Sequence, residues 1–325
     1  YGATRNPGNT EKSPGGSSGG SSAALAAGLT PLATTSDGGG SVRGPASSTG
    51  LVGYKPSMGA IGRNVLPRWI DFSTQGTSGH SVADVAYEAA ITHGPAVGDF
   101  LGLPAQSIAL NSVMPRRVLA CRTFRTDVDP DIEANYESMI DALVASGVTV
   151  ERVASPSDND TIWNWFIMST AQLTQSLRHE EHRWNELSDY VQAQLKFGAT
   201  VTIDQYIAAQ RKRHEISVRF DELLGNDAVL LTPTSNARSW PAEGPLPSRA
   251  GNTDDPMVTL NTPDANFTGH PATSVPMGLD DNGVPCGIHV TGPRFHDNLT
   301  LGLAAHIERI KPWPLTAPGY TPFGL

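Results

Sequence analysis

Apolar positions along this chain fall into runs whose spacing changes from one stretch to the next. Across residues 131–146, Ile132, Tyr136, Ile140 and Leu143 recur at three- and four-residue steps, which predicts a helix with one buried face. Short apolar runs flank it at 117–121 and 148–153. Strand, helix and strand in this order predict a parallel pair joined by a crossover. A further helix is predicted over 82–91, after a loop-rich stretch from Pro56 to about Gly79, whereas 94–112 has no period. Residues 162–224 read as mostly helical, with Trp163, Trp165, Phe166, Trp184, Tyr190 and Tyr206 supplying bulky apolar surface. Val229 to Leu231 is a short buried strand ending at Thr232-Pro233, and an irregular, proline-rich stretch runs on to Asn252. Residues 274–276 and 287–290 predict strands around the turn Asp280-Asp281-Asn282-Gly283, and 299–309 a closing helix.

The first sixty residues are dense in Gly, Ser and Ala. On composition, Gly15-Gly16-Ser17-Ser18-Gly19-Gly20-Ser21-Ser22 fits a flexible linker. An Ala-rich helix-forming stretch (23–29) follows at once, then the strand-like Leu32-Ala33-Thr34-Thr35, then Gly38-Gly39-Gly40 ending in Ser41. A linker does not lead into helix, strand and a second tight turn, so this region reads as part of the folded core.

Composition narrows the function classes. With 325 residues, 38% hydrophobic and 17% charged, the chain can bury a large core. A net charge of −9 argues against nucleic acid as a partner. The basic clusters Arg116-Arg117 and Arg211-Lys212-Arg213 are too short to reverse that and read as solvated faces. Two cysteines, Cys121 and Cys286, imply neither a disulfide framework nor a zinc pair, and a reducing, cytoplasmic setting fits them. No apolar run is long enough to span a membrane, and the polar, turn-rich residues 1–14 are unlike a signal peptide. His179-Glu180-Glu181-His182 lacks the HExxH spacing and reads as a solvated face, while His270 and His289 read as hydrogen-bonded structural groups. No metal and no cofactor is called for.

The chemistry-bearing candidates are Ser17 and Ser41, both in glycine-rich turns, with Asp37 and Arg43 beside the second. A serine hydroxyl needs a base within reach to act as a nucleophile. It also needs donors aimed at the oxygen that turns negative in the tetrahedral intermediate, each worth roughly 3 kcal/mol. Three glycines before Ser41 would let successive N–H groups converge on one point. From the residues alone, an ordinary loop fits Gly38-Gly39-Gly40 as well.

Three blocks together resemble the amidase signature in order and spacing: Gly15-Gly16-Ser17-Ser18-Gly19-Gly20-Ser21, Asp37-Gly38-Gly39-Gly40-Ser41-Val42-Arg43, and Gly50-Leu51-Val52-Gly53-Tyr54-Lys55-Pro56. Leu231-Thr232-Pro233-Thr234, the run from Asn266 to Pro276, and Gly283-Val284-Pro285-Cys286-Gly287-Ile288 extend the likeness. It is weakest between Gly59 and Asp227. The resemblance implies an α/β amidase-signature fold, a large mixed, mostly parallel twisted sheet covered by helices on both faces. Residues 1–325 would form one domain, with a catalytic core at 1–60 and a more variable, mostly helical part at 115–230. It implies a Ser–cis-Ser–Lys triad. Ser41 is then the nucleophile, and Ser17 the serine at the cis bond that relays a proton. The amides of Gly38, Gly39, Gly40 and Ser41 form the oxyanion hole, and Ser18, Asp37 and Arg43 fix the two loops. The family's catalytic lysine lies far upstream of the first serine cluster, and neither Lys12 nor Lys55 matches it. The expectation is therefore that this chain is the larger, C-terminal part of such an enzyme, without the segment that carries the lysine.

The function so implied is hydrolysis of small or aryl amides through an acyl-enzyme, with esters and carbamates (urethanes) as further substrates. Alternatives are the amidotransferase subunit that feeds ammonia to a glutamyl-tRNA partner, and a non-catalytic family member. Neither the acidic charge nor the segment 196–213 supports the former. Small-molecule substrates are expected, without nucleic acid or membrane. A homodimer is expected only because symmetric dimers are common.

Overall fold

The computed structural model describes residues 2–104, 107–108, 113–244 and 259–324, so parts of the aperiodic stretch (94–112) and of the proline-rich stretch lie outside the described residues. Eight strands form one sheet: β1 (Leu32–Asp37), β2 (Val52–Lys55), β3 (Thr74–Gly79), β4 (Arg117–Ala120), β5 (Val150–Arg152), β6 (Ala228–Pro233), β7 (Ala272–Leu279) and β8 (Pro285–Thr291). Their order is β1-β3-β2-β7-β8-β6-β4-β5. The predicted crossover is present: β4, helix α4 (Pro130–Ala145) and β5, with β4 and β5 parallel.

The sheet is mixed, but its expected mostly parallel character needs correction. Among the described residues β4 pairs in parallel with β5 and β6, and the other pairings are antiparallel. The reason is local. β7 and β8 are joined by the turn at Asp280–Gly283, which can only reverse the chain, and β2 and β3 follow each other without a crossover helix.

The two-residue period of the strands divides two cores. Val118, Ala120, Val229 and Leu231 face a cluster with Tyr136, Ile140 and Leu143 of α4. Helices α3 (Val82–Thr92) and α9 (Asp297–Ile310) complete that layer. Leu119, Cys121, Ala228 and Leu230 face the other way, toward α5 (Asn159–Leu177) and α7 (Ile203–Leu224), through Trp165, Met168, Ile216, Phe220 and Leu224. Helices therefore cover both faces. The remaining helices are α1 (Gly19–Ala26), α2 (Arg43–Thr49), α6 (Asp189–Gly198) and α8 (Pro263–Thr268).

Several boundaries differ from the sequence reading. Helix α1 starts at Gly19, inside the glycine cluster, rather than at Ala23. β1 runs on to Asp37, and β3 occupies the end of a stretch read as loop. Its residues, Thr-Gln-Gly-Thr-Ser-Gly, include no large apolar side chain, so no hydrophobic period could announce it. Pairing on both edges, with β1 and β2, holds it in place. Residues His179 and His182 lie exposed on a 3-10 segment, Arg178–Glu186. Among the described residues no helix is long and apolar enough to cross a membrane.

Candidate active site

The site grows from the end of β1. The strand delivers the fully buried Asp37, after which the chain turns through Gly38-Gly39-Gly40 to the half-buried Ser41 and enters α2. Each peptide of this turn is pinned. The Gly40 amide donates to Asp37 Oδ1 at 2.7 Å and the Val42 amide to Oδ2 at 3.1 Å. Trp165 Nε1 donates to the Gly38 carbonyl at 3.0 Å, and Thr262 Oγ1 donates to the Gly39 carbonyl at 2.9 Å.

Glycine is required here by space. A Cβ on Gly39 would lie 2.6 Å from Trp165 Cζ2, and one on Gly40 2.1 Å from Thr262 Oγ1, at a backbone φ of +129°. With both carbonyls turned to donors behind the turn, the amides of Gly38, Gly39 and Ser41 make no hydrogen bond among the described residues. The Gly40 amide, expected to join them, is taken by Asp37.

Arg43 locks the turn to the rest of the protein. Its side chain and that of Asp37 are both fully buried, and they meet in a two-pronged ion pair: Nη2 reaches Oδ1 at 2.8 Å and Nε reaches Oδ2 at 3.0 Å. The other donors go to the Thr262 carbonyl (2.8 Å), Asn266 Oδ1 (2.6 Å) and His289 Nε2 (2.8 Å). Asn266 returns two bonds of 2.9 Å, to the Asp37 carbonyl and to Oδ1. Burial disfavours the Asp37 carboxylate, but Arg43 beside it, with Lys55 and Asn266, holds the carboxyl well below the usual carboxylate range. His289 accepts from Arg43, and burial together with that cation pushes its pKa well down, so it stands neutral.

Ser17 sits on the neighbouring loop, exposed, and follows a cis Gly16–Ser17 peptide bond. This loop lies against the start of α2: a Cβ on Gly15 would come 3.0 Å from Pro45 Cα, with Gly15 at φ +84°. Asn6 adds a side-chain bond of 2.6 Å to the Ser48 carbonyl of α2. Ser18 is the N-cap residue of α1. Its carbonyl accepts from the Ser22 amide, and no side-chain bond caps that helix.

Lys55, at the end of β2, is fully buried, and its Nζ donates 2.7 Å to the Pro56 carbonyl. Burial and the Arg43 charge push its pKa down to about 7, against the opposing pull of Asp37 and Asp297. Among the described residues neither Lys12 nor Lys55 hydrogen-bonds to Ser17 or Ser41. His270 is likewise buried and structural, with Nδ1 2.7 Å from Thr268 Oγ1 and Nε2 3.2 Å from the Asp221 carboxylate.

Sequence reasoning named the turn but not its clamps. Asn266 lay in a recognised block without a role assigned to it, and Thr262 lies four residues before it. Trp165 stood in a helical stretch read only as bulky apolar surface. It is core, packed with Phe72 and Trp69, and it also closes on Gly39.

A sheet sheathed on both faces, with a pinned triple-glycine turn ending in a serine and a cis-linked serine on a loop that lies against the helix that follows, fits a candidate serine hydrolase of the α/β class. Comparison with known proteins gives the family. The Amidase family model matches residues 1–301. A glutamyl-tRNA(Gln) amidotransferase subunit of Thermotoga maritima is 30% identical over 95% of this chain and 70% of its own length. Among solved structures, a bacterial aryl acylamidase of the amidase-signature family superposes with a TM-score of 0.86 at 27% identity, over 96% of this chain and 68% of that one. A 6-aminohexanoate cyclic dimer hydrolase does so with a TM-score of 0.84 at 25% identity, over 98% and 72%. The chain belongs to the amidase-signature family.

Proposed function

We propose that this protein hydrolyses the C–N bond of amides, small or aryl ones first and esters or carbamates second, through an acyl-enzyme on Ser41. The observation that carries the reading is the pinned turn. The Gly38 and Gly39 carbonyls and the Gly40 amide are all spent on fixed partners, while the Gly38, Gly39 and Ser41 amides are left with no intramolecular acceptor among the described residues. Donors held in that way are set before the substrate arrives, which is what stabilising a developing oxyanion requires.

In this mechanism Ser41 Oγ attacks the carbonyl carbon and its proton passes through Ser17. The carbonyl oxygen turns anionic against the free amides. Collapse of the tetrahedral adduct expels the amine, protonated by the same relay, and water then releases the acid. The proton's further acceptor is a lysine amine in this reading, as the family resemblance implies.

A fluorophosphonate probe tests the assignment. The wild-type protein should be labelled and Ser41→Ala should not, and labelling that survives the substitution removes Ser41 from the mechanism. A second reading, an amidotransferase component, is favoured by the 30% identity to the Thermotoga protein. It predicts that turnover appears only when partner subunits are added.

A further inference from the structure

An open pocket of about 440 Å³ lies beside the strand that ends in the glycine turn. Its floor is Ser36 of β1 and Gln75 of β3, which face each other in the ladder. Its walls are Leu173 of α5 and the segment from Arg63 to Trp69. Two features of that segment have no role in holding the fold together. Val65 and Leu66 stand 77% and 58% exposed at the pocket, apolar surface turned to water. Of the two arginines lining it, Arg63 is spent, paired with Asp99 and bonded to the Ile70 carbonyl. Arg68 is exposed and makes no ion pair or hydrogen bond among the described residues, and none of the described residues lining the pocket is a carboxylate.

Trp69 ties the pocket to the reaction centre. Its ring lies where a Cβ on Gly38 would come within 2.3 Å of Cε3, and it meets Trp165 edge-on at 5.5 Å. Its Nε1 is buried with no hydrogen-bond partner among the described residues, a donor that native interiors rarely leave unused. An apolar arm lying along Leu66 and Leu173 would therefore share the pocket with one unspent surface cation, the Arg68 guanidinium.

We propose that this pocket is the specificity subsite of the hydrolase, selecting amides in which an apolar or aryl arm carries a carboxylate for Arg68. The proposal rests on the hydrolase reading for its meaning, but the binding it predicts does not depend on turnover. A guanidinium matches a carboxylate in two-pronged geometry, and the apolar walls supply the area that holds the arm.

The test is calorimetric titration of the whole protein with 4-phenylbutyrate and with 4-phenylbutan-1-ol, which share the arm and differ in the charge. The carboxylate should bind about fivefold more tightly, the scale of an exposed ion pair, and the advantage should shrink in high salt. Arg68→Gln should abolish the difference and Arg68→Lys should retain part of it. Equal affinities in the wild type, or an advantage that survives Arg68→Gln, overturn the subsite. A protein labelled at Ser41 that shows equal affinities loses the subsite but keeps the hydrolase reading. An unlabelled protein with an Arg68-dependent preference keeps the subsite and loses the catalytic reading.

Discussion

A single buried amine shows how much of this site is electrostatic. Lys55 lies within reach of the fields of Arg43, Asp37 and Asp297, and burial and Arg43 together push its pKa down to about 7. In the unfolded chain a lysine titrates near 10.4. Below pH 7 both states carry the proton, and the fold bears the full cost of a buried, poorly paired charge. Between about pH 7 and 10 the unfolded state binds more protons than the folded one, so stability rises with pH across that window, by at most ~1.4 kcal/mol per pH unit. Urea unfolding of the wild type should therefore show a midpoint that climbs from pH 7 to pH 9.5, and Lys55→Met should flatten the climb. A wild-type profile already flat over that range would mean that the amine keeps its proton in both states. Lys55 stood in a recognised block, but nothing local marked it as buried, because the groups around it include Asp297, which lies far along the chain.

At the scale of elements, the glycine turn works because two distant segments close on it. Gly40→Ala would force a Cβ into Thr262 Oγ1, 2.1 Å away, and dislodge the hydroxyl that holds the Gly39 carbonyl. Loss of one fixed oxyanion donor costs about 10²- to 10³-fold in other enzymes, so kcat on an aryl amide should fall by about that factor. Gly20→Ala in α1, where a Cβ meets nothing within 4 Å, should leave the rate intact and stabilise the helix by up to about 1 kcal/mol. Equal effects from the two substitutions would mean that the turn is no more constrained than a helix. The elements legible from sequence were those with a hydrophobic period: α4, α3, β6 and the β7–β8 hairpin lie close to where the spacing puts them. β3 escaped because its residues carry no period, and the antiparallel majority of the sheet escaped because strand direction depends on which strands become neighbours. For the same reason the serines and the turn could be named from local motifs, while Trp165 and Thr262, which fix the turn from elsewhere in the chain, could not.

At the scale of the whole molecule, the helical layer is bound to the site rather than laid over it. Arg213 of α7 donates to the Phe267 carbonyl and to the Asp71 carbonyl, and its guanidinium lies 5.2 Å over the Phe72 ring. Phe72 and Phe267 stack at 6.2 Å, and the Phe72 carbonyl accepts from Asn266, the residue that grips Asp37. One side chain of α7 thus stands three contacts from Asp37 at the start of the glycine turn, and the core between them is shared with β4 and β6 through Leu119 and Leu230. Such coupling leaves the helical part no means of melting alone while the turn stays set. Heating should therefore abolish fluorophosphonate labelling and far-ultraviolet helicity in one transition at one midpoint. Leu230→Ala, which empties one core, and Leu231→Ala, which empties the other, should each lower that midpoint without splitting it, at a cost of about 2–5 kcal/mol apiece. A first transition that removes most helicity while labelling persists would show instead that residues 115–230 are an independent unit, and that the clamp formed by Arg213 is incidental to the chemistry.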